Sequence, residues 1–240
     1  MTKLCINIDH VATLREARAA NEPDPVHTVS VCELAGASGI VCHLREDRRH
    51  INDRDLRLLR EVTKTKLDLE MAATEEMKTI AREVLPELVT LVPERRLELT
   101  TEGGLDLTRS HLHLRDYIPA LQEKEIEVSL FIDPVKTQIE LARDLGVEYI
   151  EIHTGEYANA IREKDVEREW QRIAEAARYA TSLGLKVNAG HGLNYLNVQR
   201  ILEIKEIGEM SIGHSILSRA IFVGLDRAVR DMLDIFRLHA

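Results

Sequence analysis

The chain has 240 residues, of which 44% are hydrophobic and 30% are charged. This composition is typical of a folded globular protein and excludes an intrinsically disordered chain. Its 41 acidic and 32 basic residues give a net charge of -9, which repels the phosphate backbone of nucleic acids and argues against broad nucleic-acid binding. Any site for anions must therefore be local.

The sequence shows no signal for membrane insertion or export. No apolar run reaches the ~18 residues that a membrane-spanning helix needs. A short strand-like run begins at Leu4, without the longer apolar stretch of a secretory signal. The cysteines Cys5, Cys32 and Cys42 form no CxxC pair, which is typical of reduced, buried thiols. We therefore expect a soluble, cytoplasmic protein that has no membrane partner.

Short apolar runs rich in valine and isoleucine recur along the chain and predict β-strands. In chain order they cover residues 4–8, 39–44, 66–71, 88–93, 127–133, 149–154, 186–190 and 209–213. Between them, apolar residues recur at helical spacing and predict helices. The clearest of these helices cover residues 53–63, 74–85, 134–145, 166–183 and 195–207. The order is strand, helix, strand, helix throughout.

This alternation predicts a closed (β/α)8 barrel that forms a single domain over residues 1–240. Successive strands start about 30 residues apart, which suits eight strand–helix units. A doubly wound open sheet is the alternative, but no GxGxxG motif follows the first strand. Two longer connections indicate an extra helix at 11–20 and a mobile loop at 94–107.

The carboxyl ends of the strands are the expected place for catalysis in such a barrel. Polar residues do concentrate there, namely Asn7, Asp9, His10, His43, Arg45, Glu70, Glu151, His153, Asn188, His191 and His214. Glu70 is enclosed by apolar neighbours, so its burial is costly unless it is functional or held in a structural ion pair. His43 and His191 follow apolar strands, and histidine titrates near neutral pH, so both are candidate acids and bases.

Two segments are candidates for phosphate binding. The loops after the seventh and eighth strands, 189–192 and 212–215, offer small residues and backbone donors where a helix begins. The arginine-rich segment 45–50, together with Arg18, is the second candidate, although runs of arginine are more often solvated. Arg45 follows His43 at strand spacing and should point toward the same end of the barrel. Two sites imply two phosphorylated reactants or one bisphosphate.

Other functions remain open at this level. A mouth rich in histidine and carboxylate is also typical of metal sites, so a metal-dependent phosphoesterase is an alternative, although HExxH and CxxC spacings are missing. A barrel that binds phosphorylated metabolites without catalysis is another. Only Lys136 lies near a strand's carboxyl end, so an imine intermediate would take its amine from the substrate.

Five longer motifs narrow these possibilities. They are NIDHVATLR at 7–15, HLREDRRHI at 43–51, TTEGGLD at 100–106, EIHTG at 151–155 and NAGHGL at 188–193. In sequence and in order they closely resemble motifs of the pyridoxine 5'-phosphate synthase family. The resemblance extends from the first strand to the last helix.

The resemblance implies a transferase-class enzyme of vitamin B6 biosynthesis. Its reaction would condense 3-amino-2-oxopropyl phosphate with 1-deoxy-D-xylulose 5-phosphate to give pyridoxine 5'-phosphate, phosphate and water. The resemblance also implies a (β/α)8 barrel with extra helices that assembles as an octamer and uses neither a metal nor an organic cofactor.

Residue roles also follow from the resemblance. General acid and base roles fall on His43, Glu70 and His191, and electrostatic stabilisation falls on Glu151. The aminoketone phosphate is placed on Asn7, Arg18, Gly192, Gly213 and His214. The sugar phosphate is placed on Asp9, His10, Arg45, His50 and Thr100.

Overall fold

The computed structural model describes residues 2–94 and 103–239. Over these residues, parallel strands close into a barrel in which each strand pairs with the next and the last pairs with the first. The strands are β1 (Lys3–Asn7), β2 (Gly39–His43), β3 (Lys66–Met71), β4 (Leu88–Leu91), β5 (Glu127–Ile132), β6 (Tyr149–His153), β7 (Lys186–Gly190) and β8 (Ile207–Ile212). This topology confirms the predicted (β/α)8 barrel.

Helices connect the strands and surround the barrel. They are α1 (Asp9–Glu16), α2 (Val26–Ala35), α3 (Asp53–Val62), α4 (Glu75–Val84), α5 (Leu107–Gln122), α6 (Lys136–Asp144), α7 (Gly155–Asn159), α8 (Glu163–Ser182), α9 (Val198–Leu202), α10 (His214–Val223) and α11 (Leu225–Leu238). The short helices α1 and α7 directly follow β1 and β6, so they lie at the carboxyl ends of the strands. We call this end of the barrel the barrel mouth.

The strands form because apolar side chains are buried on the helix-facing side of the sheet. Leu67 and Leu69 of β3, for example, belong to one hydrophobic core that also includes residues of the surrounding helices. The alternating residues of β3 turn inward. Lys66 of β3 lies 2.5 Å from the carboxylate of Glu209 on β8. Because β3 and β8 are not neighbours in the sheet, this ion pair crosses the barrel interior.

Two predicted helices differ most from the structure at their ends. The predicted helix 195–207 is too long, because α9 ends at Leu202 and the buried Ile207 already pairs with β7. The exposed Gly208 interrupts the strand pattern there, so β8 was predicted to begin two residues late. The extra helix begins earlier than predicted, at Asp9, and ends at Glu16, shortly before Ala19 takes a positive φ of 47°.

Two further expectations concern thiols and membranes. Cys5, Cys32 and Cys42 are all buried and unbridged, as predicted. Within residues 2–94 and 103–239, no helix combines the length and the apolar composition needed to cross a bilayer.

Candidate active site

Four residues at or just after the ends of β1, β2 and β3 form a hydrogen-bonded group at the barrel mouth, which we call the mouth cluster: Asn7, Asp9, His43 and Glu70. The side-chain amide of Asn7 donates to Asp9 Oδ2 at 3.0 Å and to Glu70 Oε2 at 3.4 Å. Asp9 Oδ1 accepts from the backbone N–H of His43 at 2.8 Å. The register of β2 and β3 places His43 directly beside Glu70.

The mouth cluster is also the place where a cation would fit. One donor atom each from Asp9, His43 and Glu70 lie within 4.8 Å of one another. Burial, followed by the negative charges of Glu151 and Asp9, raises the pKa of Glu70 well above its ordinary value. A carboxyl with a raised pKa can also act as a proton donor, so acid–base chemistry is the second role that this cluster fits.

His43 has a second carboxylate partner that sequence analysis did not single out. Its Nε2 lies 2.9 Å from Glu94 Oε1, and both side chains are almost fully buried. Glu94 Oε2 accepts from the backbone N–H of Glu46 at 3.1 Å. The sequence does contain a pattern that could have indicated Glu94. It is a carboxylate three residues after the buried strand β4, at the start of the segment predicted as a loop.

His50 lies next to His43, with 6.0 Å between the ring centroids. Its Nδ1 accepts from the backbone N–H of Ile51 at 2.9 Å, so a neutral ring carries its proton on Nε2. Burial lowers the pKa of His50, which favours this neutral form. His50 can therefore donate a hydrogen bond to an anion. Arg45 is buried in the same loop, with Nε 3.5 Å from Asp47.

Helix α1 and helix α3 hold the backbone of this loop in place. Arg15 of α1 is buried and donates from Nη2 to the backbone oxygen of His50 at 2.8 Å. The same guanidinium pairs with Asp55 of α3 at 2.8 Å. Asp55 is fully buried and closes a capping box with Asn52 at the start of α3.

A second group lies where β7 and β8 end. The rings of His10 and His214 meet edge to face at a centroid distance of 5.2 Å. Gly213 packs so closely against β1 that a Cβ there would lie 2.8 Å from the backbone oxygen of Asn7. Ser215 Oγ donates to the backbone oxygen of Leu193 at 3.0 Å and joins the two loops. The start of α10 therefore lies beside Asn7, and backbone N–H groups at the start of a helix suit an anion.

His191 forms a third group together with His153. Their ring centroids are 5.1 Å apart, and His153 Nδ1 lies 3.0 Å from Asp133 Oδ1. Burial, followed by the proximity of His153, lowers the pKa of His191 to about 4. The free protein therefore holds His191 neutral at pH 7. Because the side chain is shielded from water, its pKa lies below the near-neutral value expected from the sequence.

Glu151 lies in the barrel interior near the mouth. It is buried, and a Cβ on Gly190 would lie 2.1 Å from its Oε1, so the carboxyl packs against the end of β7. Burial, followed by the negative charges of Asp68 and Glu209, raises the pKa of Glu151 to about 8. Glu70 and Glu151 interact electrostatically. Glu151 therefore keeps its proton at pH 7, and the pKa of Glu70 is shifted in the same direction.

Most of the residues predicted from the sequence lie at the barrel mouth. The three groups contain Asn7, Asp9, His10, His43, Glu70, His191, Gly213 and His214. Arg45 and His50 in the loop after β2, Glu151 on β6 and Gly192 after β7 lie beside them. Arg18 lies in the exposed turn after α1, and in the described part of the chain no hydrogen bond or ion pair joins its side chain to these groups. Thr100 lies outside the described residues.

Comparisons with known proteins identify the family of the chain. The family model described as "Pyridoxal phosphate biosynthesis protein PdxJ" matches residues 4–238. A "Pyridoxine 5'-phosphate synthase" of Geobacter sulfurreducens is 58% identical over 237 residues, which cover 99% of either chain. A protein of the same name from Chlorobium phaeobacteroides is 57% identical over 231 residues, or 96% of this chain and 98% of that protein.

Solved structures with little sequence similarity share the fold. The tryptophan synthase A-subunit of Pyrococcus furiosus superposes with a TM-score of 0.65 at 10% identity, and the match covers 97% of each chain. Phosphoribosylanthranilate isomerase of Thermotoga maritima gives a TM-score of 0.59 at 12% identity over 99% of each chain. At such low identity these likenesses support the barrel architecture alone.

Proposed function

Because the chain belongs to the family of pyridoxal phosphate biosynthesis protein PdxJ, we propose that the three groups at its barrel mouth form the active site of that family's reaction. The chain is an enzyme of vitamin B6 biosynthesis. It condenses 3-amino-2-oxopropyl phosphate with 1-deoxy-D-xylulose 5-phosphate, and the products are pyridoxine 5'-phosphate, phosphate and water.

This chemistry needs repeated proton transfers. The amine of one substrate forms an imine with the carbonyl of the other. The sugar substrate then releases its phosphate group, and water leaves during ring closure. Several groups with different affinities for protons suit such a sequence better than one strong nucleophile. The mouth cluster and His191 supply groups of this kind, because burial raises the pKa of Glu70 and lowers that of His191.

The observation that carries the proposal is the hydrogen bond by which Asn7 joins Glu70 to the rest of the mouth cluster. Burial raises the pKa of Glu70, and Glu70 lies beside His43, so we assign it the role of a general acid next to a general base. His191 is neutral in the free enzyme and can accept a proton. Glu151 acts differently, because a cationic iminium nearby would lower its pKa and favour the carboxylate that stabilises the cation.

The two phosphates belong on opposite sides of the mouth cluster. The aminoketone phosphate binds at the start of α10 and the loop after β7, with Asn7, Gly192, Gly213 and His214. The deoxyxylulose phosphate binds at the loop after β2, where Arg45 is buried and His50 offers its Nε2–H, together with Asp9 and His10. Arg18 and Thr100 stay in this assignment on the family resemblance.

Replacement of Glu70 by glutamine tests the acid role. Glu70→Gln keeps the size of the side chain but removes the transferable proton, so turnover should fall by about 100-fold or more while both phosphates still bind. Turnover is measured from the pyridoxine chromophore and the stoichiometric release of phosphate. Glu75→Gln, at an exposed carboxylate in the first turn of α4, is the matched control. Near-normal turnover of Glu70→Gln would refute the assignment.

A metal-dependent phosphoesterase is the second candidate that an observation favours, because Asp9, His43 and Glu70 could surround a cation. We propose instead that the reaction requires neither a metal nor an organic cofactor. Treatment with a chelator separates the two: ring formation should continue at an unchanged rate. Activity that is lost and then restored by zinc or manganese would favour the phosphoesterase.

Assembly and location form the last part of the proposal. We propose that the whole chain is one domain and works in the cytoplasm as an octamer. Family membership supports the octamer, and so do the exposed side chains of Ile221 and Phe222 on α10. Three unbridged cysteines suit a reducing compartment. Sedimentation of the purified protein should give one species of octameric mass.

A further inference from the structure

Glu94 is a buried carboxylate that the proposed mechanism does not use. It lies three residues after the end of β4, and only 6% of its side chain is exposed. Both carboxylate oxygens have partners: Oε1 lies 2.9 Å from His43 Nε2, and Oε2 accepts from the backbone N–H of Glu46 at 3.1 Å. Glu94 therefore reaches past β3 to contact the end of β2.

The charge of Glu94 decides which nitrogen of His43 holds a proton. Burial by itself would raise the pKa of Glu94, but the hydrogen bond and charge interaction with His43, followed by the N–H of Glu46 and the charge of Arg45, keep it below the ordinary value. At neutral pH the carboxylate is therefore ionised and can only accept hydrogen bonds. A hydrogen bond between Nε2 and an ionised carboxylate requires a proton on Nε2.

We propose that Glu94 is a positioning residue for His43, holding a proton on Nε2 so that Nδ1 is the nitrogen that exchanges protons with the substrates. This rests on the proposed role of His43 as an acid and base. A neutral imidazole can otherwise carry its proton on either nitrogen. The carboxylate also stabilises the imidazolium that forms when Nδ1 takes a proton, in the way that an oriented carboxylate supports a catalytic histidine elsewhere.

A merely structural role for Glu94 would have a different signature. Through Glu46, Glu94 also contacts the loop that contains Arg45. If that contact alone mattered, its loss would weaken the binding of deoxyxylulose phosphate and would raise KM. Glu94→Gln separates the two roles, because its amide oxygen can still accept from the N–H of Glu46 while the charge beside His43 is gone.

The kinetic test compares Glu94→Gln with the control Glu75→Gln. We expect kcat of Glu94→Gln to fall by about 10- to 100-fold, the usual effect of removing a partner that orients a functional histidine, with KM for both substrates nearly unchanged. Glu75→Gln should retain normal kcat. A decrease in kcat smaller than about tenfold, or a loss carried by KM, overturns the proposal.

A neutron crystal structure of the unsubstituted enzyme tests the same proposal, and it does not depend on whether a variant folds. A hydrogen on His43 Nε2, directed at Glu94, supports it whatever the occupancy of Nδ1. A hydrogen on the Glu94 carboxyl instead, or a bare Nε2, overturns it.

His43→Asn then separates this proposal from the proposed function. If His43→Asn remains active, the acid–base role of His43 fails, and the role of Glu94 fails with it. If His43→Asn is inactive while Glu94→Gln is normal, only the role of Glu94 fails.

Discussion

At the end of β7, His191 adopts a φ of 80°, in the left-handed region that non-glycine residues rarely occupy. Such a backbone costs on the order of 1 kcal/mol or more and persists only where surrounding contacts hold it. Thr154 supplies those contacts, because its hydroxyl lies 2.7 Å from the backbone oxygen of Gly190 and 2.6 Å from that of His191. The strained backbone thus places the His191 ring against His153.

Gly155 is the residue that leaves room for this pair of histidines. It opens α7, and a Cβ there would lie 2.4 Å from His153 Nε2 and 3.3 Å from His191 Cδ2. Helix propensity alone favours alanine over glycine by up to about 1 kcal/mol. We nevertheless expect Gly155→Ala to lower kcat by about tenfold or more, because the added Cβ would displace the His191 ring, to which we assign a proton-transfer role, and a small misplacement of such a group is costly.

Steady-state kinetics check this prediction against Gly208→Ala in β8. A Cβ on Gly208 would lie 3.7 Å from the nearest atom, an ordinary contact, so this control should keep both its stability and its kcat. If Gly155→Ala turned over at the normal rate, the packing of His153 against His191 would have no part in the reaction.

At the scale of elements, α1 and α3 support the site through one buried ion pair. Arg15 and Asp55 are both buried, and Arg15 also holds the backbone of His50. Removing one partner of a buried pair leaves the other charge without compensation, which typically costs about 3 to 5 kcal/mol. Arg54, exposed over about half of its surface, also contacts Asp55 and offsets part of that loss.

We therefore expect Arg15→Met to lower the free energy of unfolding by about 3 kcal/mol and to raise KM for deoxyxylulose phosphate. Denaturant titration and steady-state kinetics measure the two effects. Arg54→Met is the matched control, because it removes a contact to the same carboxylate from an exposed position and should cost less than about 1 kcal/mol. Equal losses from the two variants would show that burial of Arg15 is unimportant.

The elements themselves were largely predictable from the sequence, because strand and helix periods are local properties. The strands β3 and β7 have the predicted ends, and His43, Glu70 and His191 lie at the barrel mouth as the barrel topology requires. Glu94 was missed because its partner lies on β2, a strand that is not adjacent to β4. Periodicity carries no information about such contacts across the barrel.

At the scale of the whole molecule, the barrel interior concentrates acidic groups. Asp68 is fully buried and accepts from Thr90 Oγ1 at 2.9 Å, and burial raises its pKa to about 7. Burial likewise raises the pKa of Glu70 and Glu151. Lys66, at the start of β3, turns inward to Glu209 although the first residue of a strand is usually solvated. Burial of these carboxyls therefore costs stability when they ionise, and it favours their protonated forms in the barrel interior.

This cost predicts how stability depends on pH. Above the ordinary carboxyl pKa of about 4, the folded protein keeps protons on Asp68 up to about pH 7 and on Glu151 up to about pH 8, whereas the unfolded chain has released them. The pKa of Glu70 is raised in the same direction. The unfolded state then binds fewer protons than the folded state, so the free energy of unfolding falls as pH rises. Each group contributes at most about 1.4 kcal/mol per pH unit.

Glu151→Gln should flatten this slope, because glutamine stays neutral in the barrel at every pH. We expect the variant to match the original protein near pH 5 and to be more stable than it at pH 8, in urea titrations at one protein concentration. Glu83→Gln, exposed on α4, is the control and should leave the slope unchanged, since its carboxyl is solvated in both states. An identical slope for Glu151→Gln would mean that Glu151 is ionised in the folded protein at neutral pH. The carboxylate would then be present before any cation forms, and stabilisation of an iminium would require no proton to leave Glu151.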